Sequence, residues 1–203
     1  MKNVAAELLE ASRTLVGLNR RIGETFRTRD RSAADRDTWS KACSEFHAIY
    51  PALFYPGGVS RWEAFLSRDS SELDAAIAFL EVDPVHFRSG YTKETIWARL
   101  KAADLTAKQE RRLESVAVAY LHQRMRREFW CMVRYVRHRG SAQFWEVVSK
   151  LAEEASGGEG MKAWWLILAR ANYPVRNWIN RELLRGRYKE EYAPKLTFGW
   201  KEA

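Results

Sequence analysis

The sequence contains no glycine or proline between Thr106 and Arg139, a stretch of over thirty residues. Thr106 and Gln109 form a capping box, in which two side chains satisfy backbone N–H groups at the start of a helix. Gly140 is a residue type that commonly ends helices. The stretch therefore predicts one long central helix over about 106–139, which would form the spine of the fold.

The other parts of the chain also have helical periodicity. In the first 26 residues, apolar side chains such as Leu8, Leu15 and Ile22 recur at helical spacing, and no strand-like alternation persists anywhere. The expected breaks are residues 27–37, 51–58, 83–84 and 156–160. We predict an all-α fold in a single domain, residues 1–203. It would be an irregular bundle or a stack of helical hairpins, with seven to nine helices.

The net charge of +8 belongs to the second half of the chain. Residues 1–105 hold fifteen basic and fifteen acidic side chains, so this half is neutral. Residues 106–203 carry the whole surplus and form a basic half. Such asymmetry between halves indicates a polyanionic partner, and it is equally compatible with a contribution to solubility.

A helical wheel divides the predicted long helix into an apolar and a basic face. The apolar face holds Ala117, Leu121, Met125, Met132 and Val136. The opposite face holds Arg126, Arg127, Trp130, Arg134 and Arg137, at steps that make them neighbours on a helix surface. Guanidinium groups offer forked donors to phosphate or carboxylate, and an indole ring can stack on a base. These five residues are the predicted nucleic-acid or polyanion-binding surface.

A second basic segment follows in the last helical region. Arg181 and Arg185 stand one helical turn apart, and they would extend the binding surface if the two basic helices faced the same way. Trp164 and Trp165 precede them among apolar residues. We expect both of these indoles to lie in the core.

The basic helix also has a purely structural interpretation. Trp130 would then be buried under a neighbouring helix, and the arginine stems would pack on apolar surface. The guanidinium groups would pair with acids of the next helix, for which Glu146, Glu153 and Glu154 are the candidates. The exposure of Trp130 and the pairing of the arginines distinguish the two interpretations.

Other kinds of site have weaker support. Cys43 and His47 stand four residues apart, a spacing that can hold a metal, but no further ligands follow at metal-binding spacings. Nucleophile motifs and the P-loop spacing are missing from the sequence. No apolar stretch is long enough to span a membrane. We expect no metal, no cofactor, no membrane partner and a cytoplasmic location.

The sequence therefore predicts a non-enzymatic binding protein whose basic, Arg/Trp-rich half contacts nucleic acid or another polyanion. One alternative is a protein–protein adaptor or regulatory subunit that docks on an acidic partner. Another is a helical enzyme acting on nucleic acid, which would need a carboxylate or histidine at the floor of a basic groove. The sequence does not determine the oligomeric state.

Overall fold

A computed structural model of the protein describes residues 2–155 and 157–173. These residues form nine α-helices and one short 3-10 turn (Ser70–Glu72), and they contain no strand. The helices are α1 (Lys2–Phe26), α2 (Ala33–Leu53), α3 (Gly58–Leu66), α4 (Leu73–Val82), α5 (Ser89–Leu100), α6 (Ala107–Leu121), α7 (Phe129–Arg139), α8 (Ala142–Glu154) and α9 (Gly158–Arg170). The predicted all-α fold is confirmed, and the helix count within these ranges falls inside the predicted seven to nine.

The prediction of one continuous helix over 106–139 is wrong. α6 ends at Leu121 and α7 begins at Phe129, so residues 122–128 form a non-helical connection. No glycine or proline causes this break. The Arg126 backbone N–H donates to the Tyr120 hydroxyl oxygen at 2.8 Å, and Lys162 donates to the Gln123 carbonyl oxygen. Tertiary contacts therefore replace helical hydrogen bonds, against the helix propensity of the connecting residues.

Local side-chain signals account for several other helix ends. The Ser32 side chain accepts a backbone N–H at the start of α2, as a helix N-cap does, so α2 begins inside the break expected at residues 27–37. Thr106 and Gln109 form the predicted capping box, with backbone-to-side-chain bonds of 3.0 and 3.3 Å. Pro51 does not break the chain as expected, because it lies inside the last turns of α2, which continues to Leu53.

The described helices belong to two compact units, of which the first ends at Leu113 and the second begins at Glu114. The single domain over residues 1–203 stays a prediction. No helix among the described residues combines the length and the apolar character needed to cross a membrane.

The first unit is built on an antiparallel hairpin of α1 and α2. Phe26 contacts Trp39 near the turn, and Arg21 pairs with Glu45 farther along the hairpin. A chain of ring contacts then connects α2 through α3 to α4. Its members are Phe46, Tyr50, Phe54, Tyr55, Trp62, Phe65 and Phe79. Burial of a phenylalanine such as Phe65 or Phe79 stabilises the unit by about 1.5–3 kcal/mol.

The second unit packs α7, α8 and α9 against the end of α6. Phe129 at the start of α7 stacks on Tyr120 of α6, with 6.0 Å between ring centroids. Trp165 of α9 contacts Phe129 edge-on, at a centroid distance of 6.0 Å. The Glu114 carboxylate of α6 accepts the Ser141 backbone N–H at 2.6 Å, which fixes the start of α8. The apolar core of this unit therefore determines which side of α7 faces solvent.

Candidate functional site

α7 has a buried apolar side and an exposed basic side. Phe129, Met132 and Val136 are fully buried, and their spacing of three and four residues keeps them on one face. Arg134 and Arg137 lie on the exposed side. α7 contains no aspartate or glutamate, so the only charges on its exposed side are positive.

The guanidinium groups of Arg134 and Arg137 have neutral partners. Arg134 donates from Nε to the Trp130 carbonyl oxygen at 3.3 Å and from Nη2 to the Cys131 Sγ at 3.0 Å. Arg137 donates from Nη2 to the Asn172 Oδ1 at 2.6 Å. No carboxylate of the described residues forms an ion pair with either arginine. Each guanidinium has five N–H donors, so both retain donors for an external anion.

Arg127 completes the exposed set. It lies in the turn before α7 and is exposed. Arg134 and Arg137 lie on the exposed side of α7, and Arg127 precedes the first residue of that helix by two positions. We call these three residues the basic strip.

Arg126 points away from the basic strip, contrary to its predicted place on the exposed face. Its guanidinium lies 3.4 Å from the Glu128 carboxylate, donates to Gln123 at 2.5 Å, and stands 5.5 Å from the Tyr120 ring centroid. Glu128 is only 1% exposed. A buried carboxylate needs a paired cation. Arg126 therefore compensates the buried charge of Glu128 within the second unit.

The environment of Trp130 agrees in part with each of the two interpretations of the sequence. Its ring stacks on Trp165 of α9, with centroids 6.1 Å apart and an interplanar angle of 27°. The ring also contacts Phe129 edge-on at 5.0 Å. The indole is half-buried, so it anchors α7 to α9 through one face. The predicted stacking of a base on Trp130 stays a prediction and would use the remaining part of the ring.

The proposed internal acids do not pair with Arg134 or Arg137. Glu146, Glu153 and Glu154 of α8 are all exposed, and none of them pairs with Arg134 or Arg137. The structural interpretation therefore holds for Arg126 and partly for Trp130. Arg181 and Arg185, the second predicted basic pair, lie outside the described residues.

Buried polar residues near the connection between α6 and α7 were not predicted from the sequence. Glu128 and Lys162 are both buried, and Tyr120 lies close enough to Glu128 to interact with its charge. Burial, followed by the negative charge of Glu128, raises the pKa of Tyr120 to about 12, which keeps its hydroxyl protonated. Residues 124–139 contain one acid, Glu128, among many arginines. That isolated acid was the signal in the sequence for an ion pair inside the fold.

Trp164 and Trp165 differ in burial, although both were expected in the core. Trp165 is buried, whereas Trp164 is 47% exposed. Met161 and Leu168 flank Trp164 at three- and four-residue steps and are partly exposed. The helical wheel of α9 would have separated the two indoles, because Trp165 shares its face with the buried Ala169 and Trp164 does not.

Metal chemistry has no geometric support in the described ranges. No group of three or more His, Cys, Asp or Glu side chains is arranged there to hold an ion. Cys43 and Cys131 are free thiols, and Cys43 with His47 gains no third ligand within these residues.

Comparisons of the chain with protein families, with curated proteins and with solved structures find no match.

Proposed function

We propose that the basic strip binds nucleic acid through its phosphates, as a non-enzymatic polyanion-binding surface. The observation that supports this proposal most directly is the exposed side of α7, where Arg134 and Arg137 have no carboxylate partner among the described residues. Arginines that only solubilise a surface are usually interspersed with acids, and α7 contains none.

The strip suits phosphates better than bases. Arg134 and Arg137 are one helical turn apart, and their forked donors match the oxygen atoms of a phosphate. Trp130, the partly exposed ring of α7, already stacks on Trp165. Binding would therefore follow the backbone charge with little sequence preference.

The expected affinity follows from counterion release. For a single strand, each neutralised phosphate adds about 0.7 to the steepness with which the logarithm of affinity falls as the logarithm of salt concentration rises. Three contacts by the strip give a slope of about 2.1, which means about a twentyfold loss of affinity between 50 and 200 mM salt. Each phosphate contact that is lost should therefore weaken binding about eightfold at about 50 mM salt.

The test is a fluorescence anisotropy titration with a labelled single-stranded oligonucleotide of random sequence. We expect Arg134→Gln/Arg137→Gln to weaken binding about sixtyfold at about 50 mM salt, because two phosphate contacts are lost. The matched control is Arg27→Gln/Arg31→Gln, which removes the same charge from exposed positions in the first unit. It should change the affinity less than threefold or so.

Two results would contradict the proposal. Equal weakening by both pairs would mean that only the net charge matters. Absence of binding by the wild-type protein at low salt would remove nucleic acid as the ligand. Far-UV circular dichroism of each variant verifies that the helices are retained.

A protein–protein module is the second candidate, and the exposed indole of Trp164 favours it. Trp164, Met161 and Leu168 give α9 a partly exposed apolar ridge, and aromatic residues and methionine are enriched at protein interfaces. This candidate predicts that Trp164→Ser, and not Arg134→Gln/Arg137→Gln, abolishes association with a purified protein partner.

A further inference from the structure

The connection between α6 and α7 consists of residues that favour a helix. Residues 122–128 read HQRMRRE, in which glutamine, arginine, methionine and glutamate are strong helix formers. α6 and α7 precede and follow it directly. The helical alternative is therefore one helix from Ala107 to Arg139, about 50 Å long.

Side chains, and not local backbone preferences, hold the connection in its bent form. The Tyr120 hydroxyl oxygen accepts the Arg126 backbone N–H at 2.8 Å, and the Gln123 carbonyl oxygen accepts a bond from Lys162. The Arg126 guanidinium donates to the Gln123 side chain at 2.5 Å. The bend depends on these contacts because no residue within it opposes a helix.

The straight form would satisfy the same backbone groups internally. The Arg126 N–H would donate to the carbonyl oxygen of residue 122, and the Gln123 carbonyl would accept from the N–H of residue 127. Straightening therefore leaves no orphaned backbone group in this segment. Its cost lies in the packing that a single chain would lose.

That packing joins α6 to the helices after the bend. Phe129 stacks on Tyr120, and Ser141 donates from its backbone N–H to the Glu114 carboxylate. A chain with a straight helix cannot make these contacts with itself, because α7 would point away from α6. A second copy in the same form can supply them, so that every contact between α6 and α7–α9 is made across two chains.

We propose that residues 122–128 are the hinge of a domain-swapped dimer, in which two copies of the chain exchange α7, α8 and α9. The bent hinge gives the monomer, and the straight hinge gives the dimer. The contacts of the core are the same in both forms. The equilibrium between them is set by the hinge and by the protein concentration.

Three proteins test the hinge after refolding over a range of concentrations, with the mass measured by light scattering. The wild type should give a dimer of about 47 kDa, twice the mass of the 23.7 kDa chain, in a fraction that rises with concentration. Tyr120→Phe/Gln123→Ala keeps the ring stack and removes bonds that hold the bend. Each hinge loses two hydrogen bonds, from the Arg126 N–H to Tyr120 and from the Arg126 guanidinium to Gln123. At about fivefold per bond, the dimerisation constant should rise about 600-fold over two hinges.

Met125→Pro is the opposing variant. Residue 125 is non-helical, and its N–H makes no backbone bond within the described residues. Proline there removes no backbone hydrogen bond from the bent form, and it disfavours a helix interior by about a hundredfold or more. This variant should remain monomeric at every concentration, and dimerisation equal to the wild type would overturn the proposal.

A cross-link distinguishes exchange from side-by-side association. In a Cys43→Ser/Cys131→Ser background, Glu114→Cys/Ser141→Cys places thiols at two contacting positions, which a short bis-maleimide then joins. Denaturing gels should show covalent dimers from the dimer fraction and covalent monomers from the monomer fraction. Intrachain links in the dimer fraction, or monomers alone for both the wild type and the double hinge variant, would refute the exchange.

Discussion

The buried ion pair between Lys93 and Asp83 provides a sharp test of the first unit. The Lys93 side chain is 2% exposed, and its Nζ lies 2.5 Å from the Asp83 Oδ1. Asp83 ends α4 in a left-handed conformation, with φ of 52°. Asp83→Asn keeps the shape and tolerates that conformation, so it removes little besides the negative charge.

The expected loss of stability follows from the burial of the lysine. Removing one partner of a buried pair costs about 3–5 kcal/mol, since the remaining charge has been taken out of water. Asp83 is itself 21% exposed, which places the expected loss near the lower end, at about 3 kcal/mol. With a denaturant dependence of about 1–3 kcal/mol per molar urea, the midpoint should fall by about 1–3 M.

Urea unfolding at neutral pH, followed by circular dichroism and tryptophan fluorescence, measures this shift. The informative control is Asp83→Asn/Lys93→Met, in which methionine retains volume without the buried ammonium. It should recover about 2 kcal/mol relative to Asp83→Asn alone, because the buried ammonium is removed together with the carboxylate. Strictly additive losses from the two substitutions would refute the reasoning.

Three further substitutions test other parts of the fold. Burial lowers the pKa of His86 below 6.5, so stability should fall as the pH drops through 6.5, and His86→Gln should reduce this dependence in unfolding curves between pH 5 and 7 or so. Gly140→Ala should cost about 1–3 kcal/mol in urea unfolding, because its Cβ would lie 2.6 Å from the Val136 carbonyl oxygen. Ser141→Ala should cost about 1 kcal/mol by the same measurement, since α8 loses the side-chain acceptor for its Phe144 N–H at 3.1 Å.

The sequence predicts the helices well where the information is local. The capping box at Thr106 and Gln109 and the apolar periodicity of α1 place helix starts and buried faces within a turn of their observed positions. The connection at 122–128 shows where local reasoning ends. Its bend depends on Lys162, which lies 39 residues away from Gln123 in the chain. No periodicity within the helix encodes a contact at that separation.

In the candidate site, too, the positions that depend on one helix are predicted and those that depend on other parts of the fold are not. The helical wheel predicts the exposed side of α7 correctly for Arg134 and Arg137, because α7 is a regular helix with a buried apolar face. It misplaces Arg126, which lies before α7 in the non-helical connection and turns toward Glu128. The partial burial of Trp130 comes from its stack on Trp165 of another helix. A helical wheel describes one helix and cannot predict this contact.

The salt dependence of oligonucleotide affinity tests the proposed role of α7 most directly. The logarithm of the association constant is plotted against the logarithm of salt concentration for the wild type and for Arg134→Gln/Arg137→Gln. Two lost phosphate contacts should reduce the slope by about 1.4. An unchanged slope would mean that these two arginines contact no phosphate, and the basic strip would then not be the binding surface.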